Sequence, residues 1–350
     1  MSIGWFMTRQ PKTAAADSAG TPPAATVSAK ASDGLSMKRV TLSADHEPRP
    51  IGQRQPTGSG RGRREMVGAM REVRSGAELT YVDPPAWRAL RYALRSRISE
   101  HPAIYLPLAR WRRGKTHPEV IGSETELVID GYPRSANTFA VYTFQIAQPR
   151  PVRLAHHLHA PAHLIEAARR RIPSLVVIRE PDGAVLSNVM FEEDATLATA
   201  FASYERFYRR LLPHARAMVA ADFEDVTHDM GPVVARLNER FGTSYRALEP
   251  SEESRRRCFE LMTFKERGIR VPDLRKLVLG FESGTVTAQE LVEEGSALLP
   301  EPSDREVEWM PSADRSRTKE ALRERWESPR LRRLRERAAD AYRSFLEAAG

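Results

Sequence analysis

Residues 124–147 read ETELVIDGYPRSANTFAVYTFQIA, and this stretch decides the fold. It begins as a short apolar run ending in Gly131-Tyr132 and continues, from about Ser135, with apolar residues at helical spacing. The reading is a strand, a tight loop and a helix. A loop in that position turns unpaired backbone amides and the positive end of the helix dipole toward one spot, which suits a phosphate or sulfate oxyanion. Arg134 adds a fixed positive charge, and Ser135 and Thr138 add hydroxyl donors. A Walker A loop needs G-x-x-x-x-G-K-[ST]; the corresponding positions hold Gly131, Ala136, Asn137 and Thr138, and the missing lysine argues against an ATPase.

The same strand-to-helix change recurs downstream. PSLVVIREP (173–181) has the continuous apolar character of a strand buried on both faces, and Pro181 with Asp182 starts the helix PDGAVLSNVMF (181–191). TLATAFASYERFYRRLLPHA (196–215) reads as a long amphipathic helix whose Tyr204, Phe207, Tyr208 and Leu211 form a core-facing stripe. The strand RAMVAADFED (216–225) and the helix MGPVVARLNERFG (230–242) follow. This alternation implies an α/β protein, a mainly parallel sheet flanked by helices on both faces, with ligands bound at the carboxyl ends of the strands.

Upstream, DPPAWRALRYALRSRISEHP (83–102) has Trp87, Leu90, Ala93 and Leu94 at helical spacing behind a proline start signal. Downstream, a helix is expected around Glu252 to Met262, then a weakly patterned stretch from about Lys265 to Met310. Two charged helices, near Arg317 to Trp326 and Leu331 to Ala348, close the chain.

A second anion-binding element sits in VVIREPDGAVLSNV (176–189). Arg179 ends a strand, where its fork can grip a phosphate, and Ser187 can face the same crevice from the next helix. Two separate anion sites point to a ligand phosphorylated at two places.

Together the motifs Pro133-Arg134-Ser135-Ala136-Asn137-Thr138-Phe139 and Arg179-Glu180-Pro181-Asp182…Ser187 resemble the sulfotransferase family over about Glu124 to Gly242. The resemblance implies a P-loop-NTPase-like three-layer sandwich. It also implies a co-substrate, 3′-phosphoadenosine 5′-phosphosulfate (PAPS), with Arg134, Ser135, Ala136, Asn137, Thr138 and Phe139 around the phosphosulfate and Arg179 and Ser187 on the 3′-phosphate. No metal is expected. Arg134 replaces a common family lysine, and its high pKa suits charge stabilisation rather than proton donation. Ala136 replaces a glycine and is expected in right-handed geometry, because a left-handed alanine costs roughly 1 kcal/mol or more. The family's C-terminal R-K-G-x-x-G-x-W element is absent, leaving Arg315 or Lys319 as substitute phosphate contacts, or as part of a solvated helix face.

VRLAHHLHAPAHL (152–164) carries His156, His157, His159 and His163. Transfer to a hydroxyl needs a base, and histidine titrates in the right range. His157 is the closest match to the family's base, with His156 and His159 as alternatives for that role and surface or structural histidines as the remaining reading. A metal would also fit the histidine spacing, but no carboxylate or thiol clusters with it in sequence.

Composition bounds the rest. The chain has 350 residues and a net charge of +8, and residues 1–75 hold 12 Lys and Arg against 6 Asp and Glu. The remaining 275 residues are nearly neutral, 42 against 40. That first segment, rich in Ala, Ser, Pro and Gly, reads as a disordered basic tail or the product of an early start, with Met37 and Met66 as later ones; the other reading is a polyanion-binding arm. The domain proper is expected at 84–350. One cysteine, Cys258, excludes an internal disulfide and suits a reducing, cytoplasmic setting, and no run is long enough for a transmembrane segment. The acceptor is left as a small molecule, carbohydrate or lipid, with no specific nucleic acid. A kinase-like phosphate-binding enzyme and a nucleic-acid-binding protein using the tail are the alternatives.

Overall fold

The computed structural model describes residues 83–114, 117–268, 270–300, 319, 322–323, 326 and 328–350. The tail expected at 1–75 and Arg315 lie outside them.

Four short parallel strands form one sheet: β1 (Leu127–Gly131), β2 (Leu154–His156), β3 (Ser174–Ile178) and β4 (Val219–Asp222), in the order β2-β1-β3-β4. Every residue of β1 and β3 is buried, as continuous apolar runs require. Side chains alternate between two cores. Val128, Val176 and Ile178 enter one, and Leu127, Ile129, Leu175 and Val177 enter the other.

The first core is covered by α1 (Ala86–Ile98), α2 (Pro102–Arg113), α4 (Pro161–Arg170), α5 (Pro181–Phe191), α6 (Leu197–Leu211) and α12 (Pro329–Ala349). The second is covered by α3 (Asn137–Ala147), α8 (Gly231–Phe241), α9 (Glu252–Gly268), α10 (Pro272–Ser283) and α11 (Ala288–Ser296), while α7 (Phe223–His228) follows β4 directly. A capping box between Thr196 and Thr199 starts α6, and its stripe of Tyr204, Phe207, Tyr208 and Leu211 is buried.

The sheet-based P-loop-type sandwich expected from the sequence does not describe this fold. Among the described residues 65% are helical and 7% are in strands. The strands are only three to five residues long, and no strand follows β4 among the described residues. The molecule is an α/β fold in which helices do most of the packing around a small sheet. Two helix readings also change. The stretch after Lys265 contains α10 and α11, and α1 buries Tyr92 while Trp87, Leu90 and Leu94 face outward.

The strand order reverses between β1 and β3, so the connections leaving their carboxyl ends diverge and open a crevice. Gly131 lets the two strand ends meet, because a Cβ there would stand 2.0 Å from the Val177 carbonyl oxygen.

Candidate functional site

The anion loop leaves β1 at this crevice. Arg134 and Ala136 have φ of 69° and 71°, while Ser135 between them does not, so φ changes sign at each step. That alternation is the backbone pattern that turns successive amides to one side, a geometry suited to an anion. It also corrects the expectation for Ala136, which is left-handed at ψ 24° as the N-cap of α3. The loop's shape outweighs the local cost of a Cβ in that region.

The amides of Ala136 to Phe139 donate to no group among the described residues. Ser135 Oγ is sealed from solvent and completes no hydrogen bond of ordinary geometry, although the Tyr208 hydroxyl lies beside it. Asn137 Nδ2 donates to the Tyr132 carbonyl at 3.0 Å, so that side chain staples the loop rather than reaching out of it. The Phe139 ring packs on Phe259 of α9 with centroids 5.6 Å apart.

The two expected anion sites are joined. Arg134 Nε donates to Ser187 Oγ at 3.1 Å, and Arg179 Nη1 donates to the Arg134 carbonyl at 3.1 Å. Arg179 is placed by its neighbours: its guanidinium lies 4.0 Å from the Phe223 ring centroid, and Tyr204 donates to its carbonyl at 2.5 Å. A Cβ on Gly183 would come within 2.8 Å of Arg179 Nε, so that glycine makes room for the side chain. Burial pulls the Arg179 pKa down and the nearby Glu224 and Glu180 oppose it, yet a guanidinium stays charged. From the C-terminal helix the residue that reaches this motif is Arg335, which donates to Asp182 at 2.9 Å. Lys319 is half-buried.

The histidines separate into two groups. His157 Nε2 lies 2.9 Å from Thr138 Oγ1 at the start of α3, and its Nδ1 lies 2.6 Å from Nδ1 of His156. His159 and His163 belong instead to Asp130. This wholly buried carboxylate accepts from the backbone of Gly131 (2.9 Å), Leu158 (3.2 Å) and His159 (3.1 Å) and lies 2.9 Å from His163 Nδ1. Burial pushes Asp130 up, but the hydrogen bonds of His159 and His163 outweigh it and hold the carboxyl well below its usual range. Asp130 was not singled out in the sequence; its signal is an acid inside the strand run LVID.

His157 and His159, like Arg134 and Ala136, have positive φ, 54° and 49°. Both loops at the carboxyl ends of β1 and β2 therefore hold side-chain-bearing residues in the left-handed region, the kind of strain that clusters at functional sites. Burial first, then the charge of Lys265, drives both His156 and His157 well below the ordinary histidine pKa, so the rings are neutral bases.

Among the described residues one group of three could hold a metal ion: His156, His157 and Glu282, with one ligand atom from each within 4.8 Å of the others. Lys265 Nζ already sits 2.5 Å from Glu282 Oε1, so a cation would have to displace that ammonium. Cys258 is buried and its thiol is pushed up to about 12 by burial, which excludes a thiolate nucleophile.

Beside His157 opens a pocket of about 310 Å³, bounded by Pro133, Tyr132, Tyr105, Phe207 and His159. No family model, no curated protein and no solved structure matches this chain.

Proposed function

We propose that the chain is a sulfotransferase that moves a sulfuryl group from PAPS to an acceptor hydroxyl or amine. The observation that carries this reading is the approach of His157 to Thr138. A neutral base from the second loop stands at the first turn of the helix whose leading amides suit an anion.

The residues present fit a doubly phosphorylated donor. In this reading the amides of Ala136 to Phe139, Thr138 and Arg134 hold the phosphosulfate, and Arg179 and Ser187, both joined to Arg134, hold the 3′-phosphate. When bound, the donor supplies an activated sulfuryl group on a phosphate leaving group. His157 Nε2 takes the acceptor proton as the acceptor's oxygen or nitrogen bonds to sulfur in line. The sulfur–oxygen bond to phosphate breaks, and Arg134, the loop amides and the Thr138 hydroxyl oppose the charge left on the phosphate oxygen. The pocket beside His157 has room for a small acceptor or one end of a carbohydrate or lipid.

Titration calorimetry with adenosine 3′,5′-bisphosphate and with ATP plus magnesium tests the donor site, and labelled-sulfate transfer to phenolic, carbohydrate, glycolipid and peptide acceptors tests the chemistry. Binding of the bisphosphate without metal is expected. Preference for ATP and magnesium would overturn the reading.

A further inference from the structure

Six large hydrophobic side chains stand exposed among the described residues, and five of them sit on α1 and α2. Trp87, Leu90 and Leu94 fall at i, i+3 and i+7 on α1, and Ile104 and Trp111 fall seven apart on α2. These five are between 57 and 81% exposed. The inner faces of the helices are accounted for separately, by Tyr92 on α1 and by Leu106 and Ala109 on α2. Each helix therefore carries exposed apolar residues apart from its packed face, and exposure of this kind marks a docking surface.

Charge says what docks. The segment Ala86–Gly114 holds seven arginines and one acid, Glu100. Glu100 is spent on Arg206 at 2.8 Å. Arg88 and Arg95 pair with Glu193 and Glu192 at 2.8 and 2.6 Å, and Arg91 pairs with Asp194. Arg97 and Arg112 are exposed on the same two helices. A second copy of the chain would bring Arg97 and Arg112 up against the same two arginines of its partner, whereas an anionic surface would not. Tryptophan and leucine beside arginine on the outside of short helices is the composition that lies in the headgroup layer, with aromatic rings at the boundary and guanidinium groups on phosphates. No described helix is long and apolar enough to cross a membrane, so the contact is one of lying on the surface.

We propose that the outer face of α1 and α2 docks on an anionic membrane surface. This holds independently of the sulfuryl-transfer reading. The same two helices supply Tyr92, Arg95, Tyr105 and Arg113 to the wall of the pocket beside His157.

Flotation of the full chain with vesicles of phosphatidylcholine alone, and of equal parts phosphatidylcholine and phosphatidylglycerol, tests this. The chain is expected to float with the anionic vesicles, and brominated lipid is expected to quench tryptophan emission. The variant Leu90→Ser/Leu94→Ser/Trp111→Ala is expected to keep the native circular dichroism and to partition at least about tenfold more weakly, since three apolar side chains are lost from the contact. Arg97→Gln/Arg112→Gln is expected to reduce the preference for anionic vesicles. Unchanged flotation of the apolar triple variant would assign binding to the basic N-terminal residues and overturn the proposal. So would a wild-type dimer that fails to float and becomes monomeric in the triple variant.

Discussion

The Thr138 hydroxyl and Nε2 of His157 lie 2.9 Å apart, across two loops that leave neighbouring strands. Because His157 also touches His156 through Nδ1, its Nε2 is the nitrogen that faces the anion loop. His157→Asn is expected to reduce turnover at least a hundredfold while leaving calorimetric affinity for adenosine 3′,5′-bisphosphate within about twofold. A variant with wild-type turnover would remove the base from the mechanism.

The depressed histidines set a pH dependence. A base whose pKa falls stays neutral to lower pH, so the acid limb of kcat/KM is expected below the ordinary histidine value of about 6.5. Lys265→Met removes a positive charge acting on both rings and should move that limb to higher pH. The same shift acts on stability. Below about pH 6.5 the unfolded chain takes up protons that the folded rings refuse, so stability falls as pH falls, by up to about 1.4 kcal/mol per pH unit for each ring. Urea melts between pH 8 and 5 measure it.

Arg179 is expected to act on affinity. Arg179→Ala should weaken binding of adenosine 3′,5′-bisphosphate at least tenfold with a much smaller effect on kcat, and Gly183→Ala, which crowds Arg179 Nε, should follow it in direction. Arg134→Ala should show the opposite pattern, with turnover falling far more than affinity.

Ala136 offers a gain-of-stability test. Its φ of 71° costs an alanine about 1–2 kcal/mol, part of which glycine gives back through unfolded-chain entropy. Ala136→Gly is therefore expected to stabilise by about 0.5–1 kcal/mol in urea unfolding.

Asp130→Asn is expected to cost about 3–5 kcal/mol, because it leaves the buried His163 and the amides of Leu158 and His159 without their charged acceptor. Unfolding midpoints measure this directly.

How much of this was legible in the sequence depended on where local pattern carries the structure. The strand, loop and helix around Gly131, the strand ending before Arg179 and the buried stripe of α6 followed from periodicity, because each is decided within a dozen residues. The dominance of helix did not. α10 and α11 carry mixed polar faces, and their identity rests on packing against α3 and α9, contacts that no local window contains. Trp87, Leu90 and Leu94 show the same limit from the other side: helical spacing identifies a stripe but not which way it faces. At the site, residue types in the two motifs could be read, but the meeting of Arg134 with Ser187 and the left-handed turn at Ala136 depend on how the crevice closes. Asp130 escaped notice because its partners other than the adjacent Gly131 amide lie 28 to 33 residues away.

That carboxylate has a mechanical consequence. Asp130 is fixed in β1 one residue before the turn into the anion loop, and it also grips the backbone and ring that anchor the segment carrying His157. Any displacement of one loop is transmitted to the other through a single rigid pivot. The spacing between His157 and the loop after β1 is thereby a property of the scaffold, set when the chain folds rather than when a ligand arrives.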